Sequence, residues 1–109
     1  MPGASVRCYY SPKVAATIEA WPIGIRARFL RIAEVMTEHG PDLGMPHTRA
    51  MGAGLFEVRA KSREGIGRAF CCTLIGERIV ILHAIVKKTD KTRARDLETA
   101  RARQREIKP

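Results

Sequence analysis

Between Ile79 and Asp96 the chain reads IVILHAIVKKTDKTRARD, an aliphatic run that carries an imidazole at His83 and ends in Lys87, Lys88 and Lys91. Two guanidinium groups stand on the preceding segments, Arg59 in LFEVRAK and Arg68 in GRAF. These residue types suit a phosphodiester. Metal-free RNA cleavage needs a base for the 2′-hydroxyl, cations for the charge that builds on the phosphorane, and an acid for the leaving oxygen. An imidazole changes charge near neutral pH and can serve as acid or base. Lys87 or Lys88 can do so only with a depressed pKa, which crowding by other cations promotes. Arginine stays charged and grips two phosphate oxygens at once, so Arg59 and Arg68 suit charge stabilisation. The sequence holds no acidic cluster that offers a magnesium site, which disfavours a two-metal nuclease.

For these groups to meet, the segments that carry them must be neighbouring strands. RAFCCTLI and RIVILHAIV flank Gly76-Glu77, a two-residue hairpin signal. That turn pairs Ile75 with Arg78, Cys72 with Ile81, Phe70 with His83 and Arg68 with Ile85. If SREG closes the earlier hairpin, Lys61 pairs with Ile66 and Arg59 with Arg68. Alternation then predicts an apolar face that includes Phe56, Val58, Ala60, Ala69, Cys71, Val80, Leu82 and Ala84. The opposite face holds Glu57, Arg59, Arg68, Phe70, Cys72, Ile81, His83, Ile85 and Lys87. Like charges directly opposite on a sheet are destabilising. Arg59 beside Arg68 therefore leaves two readings open: an anion sits between them, or one of them pairs with Glu57. His83 alone is either a satisfied strand histidine or a catalyst, and Phe70 either stacks on a base or packs in the core.

The remaining elements must support that sheet. SVRCYYS alternates as a first strand, and Ser11-Pro12 is an N-cap with a first-turn proline for the helix PKVAATIEA. Pro22 opens a second helix in which Ile25, Phe29, Ile32 and Met36 recur at helical spacing, with Gly40-Pro41 as its stop. PDLGMPHTRAMGAG reads as a loop with GAG as its tight end; it lacks the following helix of a phosphate loop. TRARDLETARARQREI is helical, with Thr92 as N-cap, a thin apolar line of Leu97, Ala100 and Ile107, and a solvated arginine surface. The expected order is β-α-α-β-β-β-α, an α+β single domain over residues 1–109 on a mainly antiparallel sheet, with the N-terminal helix pair packed on one face.

Composition points the same way as the site. The 109 residues carry a net charge of +9, and the stretch from Lys87 onward, with nine basic and four acidic residues, holds +5 of it. Nucleic acid is the first expected partner for such a balance. Cys8, Cys71 and Cys72 make an odd count, and adjacent strand residues point to opposite faces, so three thiols in a reducing cytosol are expected. No CxxC or His–Cys ligand spacing is present, so no metal or cofactor is expected. The N-terminus has no secretory apolar core and no run is long enough to span a bilayer, which predicts a cytoplasmic protein.

GLFEVR, then GRAF, then ILHAIVKKTDKT and a closing helix resemble the phage-derived Gp49-like group of HigB toxins, in the RelE/ParE superfamily. The resemblance covers residues 43–107, and LHAIVKKTDKT is its most specific part. It implies a compact sheet with helices on one side, acting as the toxin of a type II toxin–antitoxin pair. Such toxins cleave mRNA on the translating ribosome and are held inactive by a helix-turn-helix antitoxin. Carried over by position, the family's basic residues fall on Arg59, Arg68, His83, Lys87 and Lys88, which form the expected catalytic set. Arg49, Lys61, Phe70, Lys91 and Arg93 complete an RNA-contacting set. The chain departs from the family at Cys71 and Cys72, where a tyrosine is common, at Ile85 in place of phenylalanine, and at Arg93 in place of proline. Two other functions fit a basic chain of this kind: a non-enzymatic gyrase inhibitor like the ParE branch, and an RNA-binding module without cleavage.

Overall fold

The structure, a computed structural model, describes residues 7–74, 78–87 and 93–107. Ser11 caps the first helix as expected, its hydroxyl accepting from the Val14 N–H at 3.3 Å, and α1 runs Pro12–Glu19. The second helix, α2, is Ile23–His39 and ends at Gly40, whose positive φ of 86° is one that glycine adopts without strain. The four stripe residues Ile25, Phe29, Ile32 and Met36 are all buried. Trp21 meets Phe29 edge-on with ring centroids 5.6 Å apart.

Five strands form one sheet: β1 (Arg7–Tyr9), β2 (Thr48–Gly52), β3 (Leu55–Ser62), β4 (Gly65–Leu74) and β5 (Arg78–Lys87). Their spatial order is β1-β5-β4-β3-β2, with β1 parallel to β5 and every other pairing antiparallel. The last helix, α3, is Ala94–Ile107. α2 lies tightly on the sheet at Gly67, where a Cβ would sit 2.5 Å from Ile25 Cγ2 and 2.8 Å from the Trp21 ring. Only glycine allows that approach.

The structure corrects the expected order. The segment read as a loop contains β2, so four strands, not three, lie between α2 and α3. Gly52, Ala53 and Gly54 all have positive φ (93°, 54° and 78°) and form the turn that returns β2 into β3. β2 is an edge strand with little burial except at Thr48, which is why no apolar alternation announces it. The Thr48 hydroxyl accepts from the N–H groups of Leu43 and Gly44, at 2.9 and 3.1 Å, and ties the preceding loop to the strand.

The β3–β4 register is the expected one, Arg59 opposite Arg68 and Lys61 opposite Ile66. Between β4 and β5 the Phe70–His83 and Arg68–Ile85 pairs also stand, but a bulge follows, so that Cys71 faces Ile81 and Cys72 faces Val80. Leu82 is the extra residue. The face assignment of the first half of β5 is therefore reversed: Ile79 and Ile81 join the core under α1 and α2, while Val80 and Leu82 join Leu55, Phe70, Cys72 and Ala100 on the other side. That second cluster is covered by α3 through Leu97, Ala100 and Ile107, the predicted apolar line. Helices thus lie on both faces of the sheet, not on one.

Cys8 is half-buried and Cys71 and Cys72 are buried, and no disulfide joins them among the described residues. Burial, with the neighbouring Cys72 second, pushes the Cys71 thiol up from 9.0 to about 12. Since the thiolate is the nucleophile, roughly one Cys71 in ten thousand is reactive at pH 8. Iodoacetamide at that pH is expected to label Cys8 in the native protein and to reach Cys71 only after unfolding, as read by intact-mass and peptide spectra. Because the folded pKa is the higher one, this thiol favours the native state fully below pH 9, and that contribution is lost as pH rises toward 12.

Candidate functional site

The bulge in β5 turns two consecutive side chains, Leu82 and His83, to the α3 face. His83 then stacks on Phe70, ring centroids 6.2 Å apart and planes 19° from parallel. Its Nε2 lies 2.9 Å from Oδ1 of Asp96, in the first turn of α3. A carboxylate only accepts hydrogen bonds, so the neutral ring paired with Asp96 carries its proton on Nε2 and keeps the Nδ1 lone pair for other work. Both side chains are mostly enclosed, 19% and 13% exposed, so the pair is held rather than merely adjacent.

What fixes Asp96 over His83 is the docking of α3 at both edges of the sheet. Arg103 donates from Nη1 to the Leu82 carbonyl at 2.7 Å, and its guanidinium sits 4.7 Å from the centre of the Tyr10 ring. The Tyr10 hydroxyl donates to Glu106, and that bond raises the phenol above its ordinary pKa of 10.0. At the other edge, Arg101 donates to the Gly52 carbonyl at 2.8 Å and Gln104 to that of Ala53, also at 2.8 Å. The arginines of α3 are therefore not all a solvated face: Arg101 and Arg103 clamp the β2–β3 turn and β5.

A row of four side chains crosses the sheet in register: His83 on β5, Phe70 on β4, Glu57 on β3 and Arg49 on β2. Glu57 and Arg68 are 0% and 1% exposed, and Arg68 Nη1 donates to Glu57 Oε2 at 3.0 Å. Arg49, about half exposed, approaches the other carboxylate oxygen at 3.3 Å. Of the two readings left open for the arginine pair, Arg68 takes the one with Glu57. Arg68 thus forms the buried floor of the site instead of facing an anion in solvent. Phe70 is likewise fully buried, and its stacking partner is His83, not a base.

Arg59 lies beside Arg68 on the same face and is half-buried, and Lys61 is exposed farther along β3. The Lys87 backbone ends β5 opposite Ile66; its side chain, like Lys88 and Lys91, lies outside the described residues, as does the predicted cap Thr92. Arg93 is exposed, and its carbonyl accepts from Asp96 and Leu97, which places it at the start of α3. Sequence reasoning missed Asp96 as a site residue, and also Lys13 of α1 and Arg103. With Thr17 and His83 these two line a pocket of about 200 Å³ between α1, β5 and α3. Among the described residues, no group of three or more His, Cys, Asp or Glu side chains is placed to hold a metal ion. Nor, among the same residues, is any helix long and apolar enough to cross a membrane.

An imidazole held by a carboxylate, with guanidinium and ammonium groups on the same sheet face, can move a proton beside an anion. The family model described as phage derived protein Gp49-like (DUF891) matches residues 16–105. No curated protein matches the chain. The chain belongs to the Gp49-like family, a RelE-like toxin family, and membership implies an antitoxin partner.

Proposed function

We propose, with membership of this toxin family as the premise, that the chain is a HigB-like type II toxin that cuts mRNA on the translating ribosome without a metal ion. The observation that carries the reading is the His83–Asp96 pair at 2.9 Å, set on the sheet face that also bears Arg59. In the reaction, a base removes the 2′-hydroxyl proton, the oxygen attacks phosphorus, and an acid protonates the departing 5′-oxygen. His83 is the group suited to one of the two proton transfers, with Asp96 fixing its ring. Arg59, with Lys87 and Lys88, meets the charge that builds on the phosphorane. Arg49, Lys61, Lys91 and Arg93 contact the RNA backbone. Arg68 and Phe70 act from beneath, Arg68 through Glu57 and Phe70 through its stack on His83. A helix-turn-helix antitoxin holds the toxin inactive.

The test is a translation extract programmed with a defined mRNA, with cuts mapped by primer extension in the presence and absence of ribosomes. Cuts that require ribosomes and disappear with His83→Gln are the expected result. Cuts on naked RNA would instead indicate a free ribonuclease. Intact mRNA with a folded protein, together with lost DNA supercoiling, would replace the reading with gyrase inhibition.

A further inference from the structure

Away from His83, at the β2 edge of the sheet, α2 and β3 enclose a second concentration of positive charge. Arg28, Pro46, His47, Arg59 and Lys61 line a pocket of about 340 Å³. Three permanent cations and an imidazole share it, and none of these five lining residues is acidic. The charge continues beyond the pocket. Arg28 and Arg31, with His47, line an adjoining hollow of about 160 Å³, and Arg28, Arg31 and Lys61 line a wider groove of about 570 Å³. Among the described lining residues of all three, Glu34 in the groove is the one acid.

The pocket is built, not incidental. The Arg59 N–H donates to the His47 carbonyl at 2.9 Å, which carries the β2–β3 pairing one residue past Thr48 and seats His47 against β3. The His47 and Thr48 N–H groups both donate to the Gly44 carbonyl, at 3.1 and 3.0 Å, while the Thr48 hydroxyl accepts from Leu43 and Gly44. Arg28 stands on the exposed side of α2, next to the buried Phe29, so its position is set by the core although its guanidinium is not part of it. Arg28 and Lys61 bring two like charges to one pocket, a repulsion that an entering anion relieves. Arginine and lysine together match a phosphate, and the volume admits a nucleotide-sized unit rather than a bare ion.

We propose that this pocket holds a backbone phosphate, with its nucleoside, of the single-stranded RNA whose reacting bond lies at His83; the inference rests on the ribonuclease reading for the identity of that strand. The sheet sets the spacing. Lys61 is two strands from β5 and two rows from His83, about 17 Å between backbones at the usual strand and residue spacings, while Arg59, one row nearer, stays with the reacting phosphate. A chain a few nucleotides long spans that distance. The pocket then fixes the register of the strand over the imidazole, and Arg28 and His47 become substrate contacts.

The test uses the full chain and a fluorescent single-stranded 2′-O-methyl RNA, whose blocked 2′-oxygen cannot attack phosphorus, so binding is read without cleavage. Arg28→Gln is expected to weaken binding about five- to twentyfold at 0.1 M salt and to reduce the slope of log affinity against log salt by roughly 0.7. Arg28→Lys should keep the slope, and His47→Gln should weaken binding with less change in it. Arg78→Gln, which removes the same charge from an exposed position at the start of β5, should bind like the wild type. Wild-type affinity and slope in Arg28→Gln would overturn the proposal, as would an equal loss in Arg78→Gln, which would leave only bulk charge. So would His47 ring resonances that respond to millimolar inorganic phosphate but not to the oligonucleotide, or Arg28→Gln losing only antitoxin binding. Cleavage can fail in the ribosomal assay while this binding result stands, so the two failures are separable.

Discussion

Alanine at Glu57 is expected to lower the free energy of unfolding by about 3–5 kcal/mol, the cost of leaving a buried charge without its counterion. The carboxylate is fully buried and takes a hydrogen bond from Arg68 Nη1 at 3.0 Å, and Arg68 itself is 1% exposed. Removing the acid leaves the guanidinium buried without that carboxylate, and guanidinium does not shed its proton to relieve the burial. Arg49→Ala should cost less than about 1 kcal/mol, because that arginine is half in solvent and its ion pair is screened. Chemical denaturation of the three proteins measures the contrast. A Glu57→Met, Arg68→Met double variant decides what the pair is for. Apolar replacement of both partners is often neutral or stabilising. Recovered stability with toxicity lost would make Arg68 a working part of the site; recovery of both would make the pair structural. A loss below about 1 kcal/mol in Glu57→Ala would contradict the burial argument itself.

The parts of this fold that could be read in the sequence are those with one wet side. α2 shows its stripe of Ile25, Phe29, Ile32 and Met36 because the other side faces solvent, and all four are buried. The β3–β4 register follows from a short turn and from polar residues alternating with apolar ones, and Arg59 does face Arg68. IVIL at the start of β5 carries no such marker. Ile79 and Ile81 are buried under α1 and α2, Val80 and Leu82 under α3, so every residue is apolar and alternation is silent about which face each takes. The bulge at Leu82 was therefore illegible, and with it the reason that His83 and Leu82 share a face. β2 was hidden for the opposite reason, an edge strand with a single buried residue, Thr48. Asp96 was visible as a first-turn acid of α3. Its partner was not, because α3 is positioned by side chains donating to the carbonyls of Leu82, Gly52 and Ala53, contacts with no sequence period.

His83→Ala is expected to reduce cleavage by about 10²–10⁴-fold, the usual worth of a placed general acid or base. The loss has to be separated from damage to the site, because the ring also stacks on Phe70 and bonds Asp96, together a contribution of about 1–3 kcal/mol. His83→Gln makes the separation. Its amide can still donate to the Asp96 carboxylate and fills much of the same space, but it cannot carry a proton between substrate atoms. Gln at position 83 with near-native stability and the full loss of cleavage supports proton transfer, whereas Gln with substantial activity would reduce His83 to packing. Asp96→Asn then tests the tautomer. An asparagine amide can turn its NH₂ toward Nε2, which would move the ring proton to Nδ1 and occupy the lone pair that faces the reaction. A fall of at least about tenfold is expected, in the manner of a triad whose orienting acid has been made neutral. The ¹⁵N resonances of His83 report the same event without any assay: an Nε2–H ring in the wild type and a shifted tautomer ratio in the variant. Unchanged resonances with unchanged cleavage would show that Asp96 anchors α3 and nothing more. If His83→Gln also kept its activity, the chemistry would fall to Lys87 and Lys88, the two cations that follow directly at the end of β5.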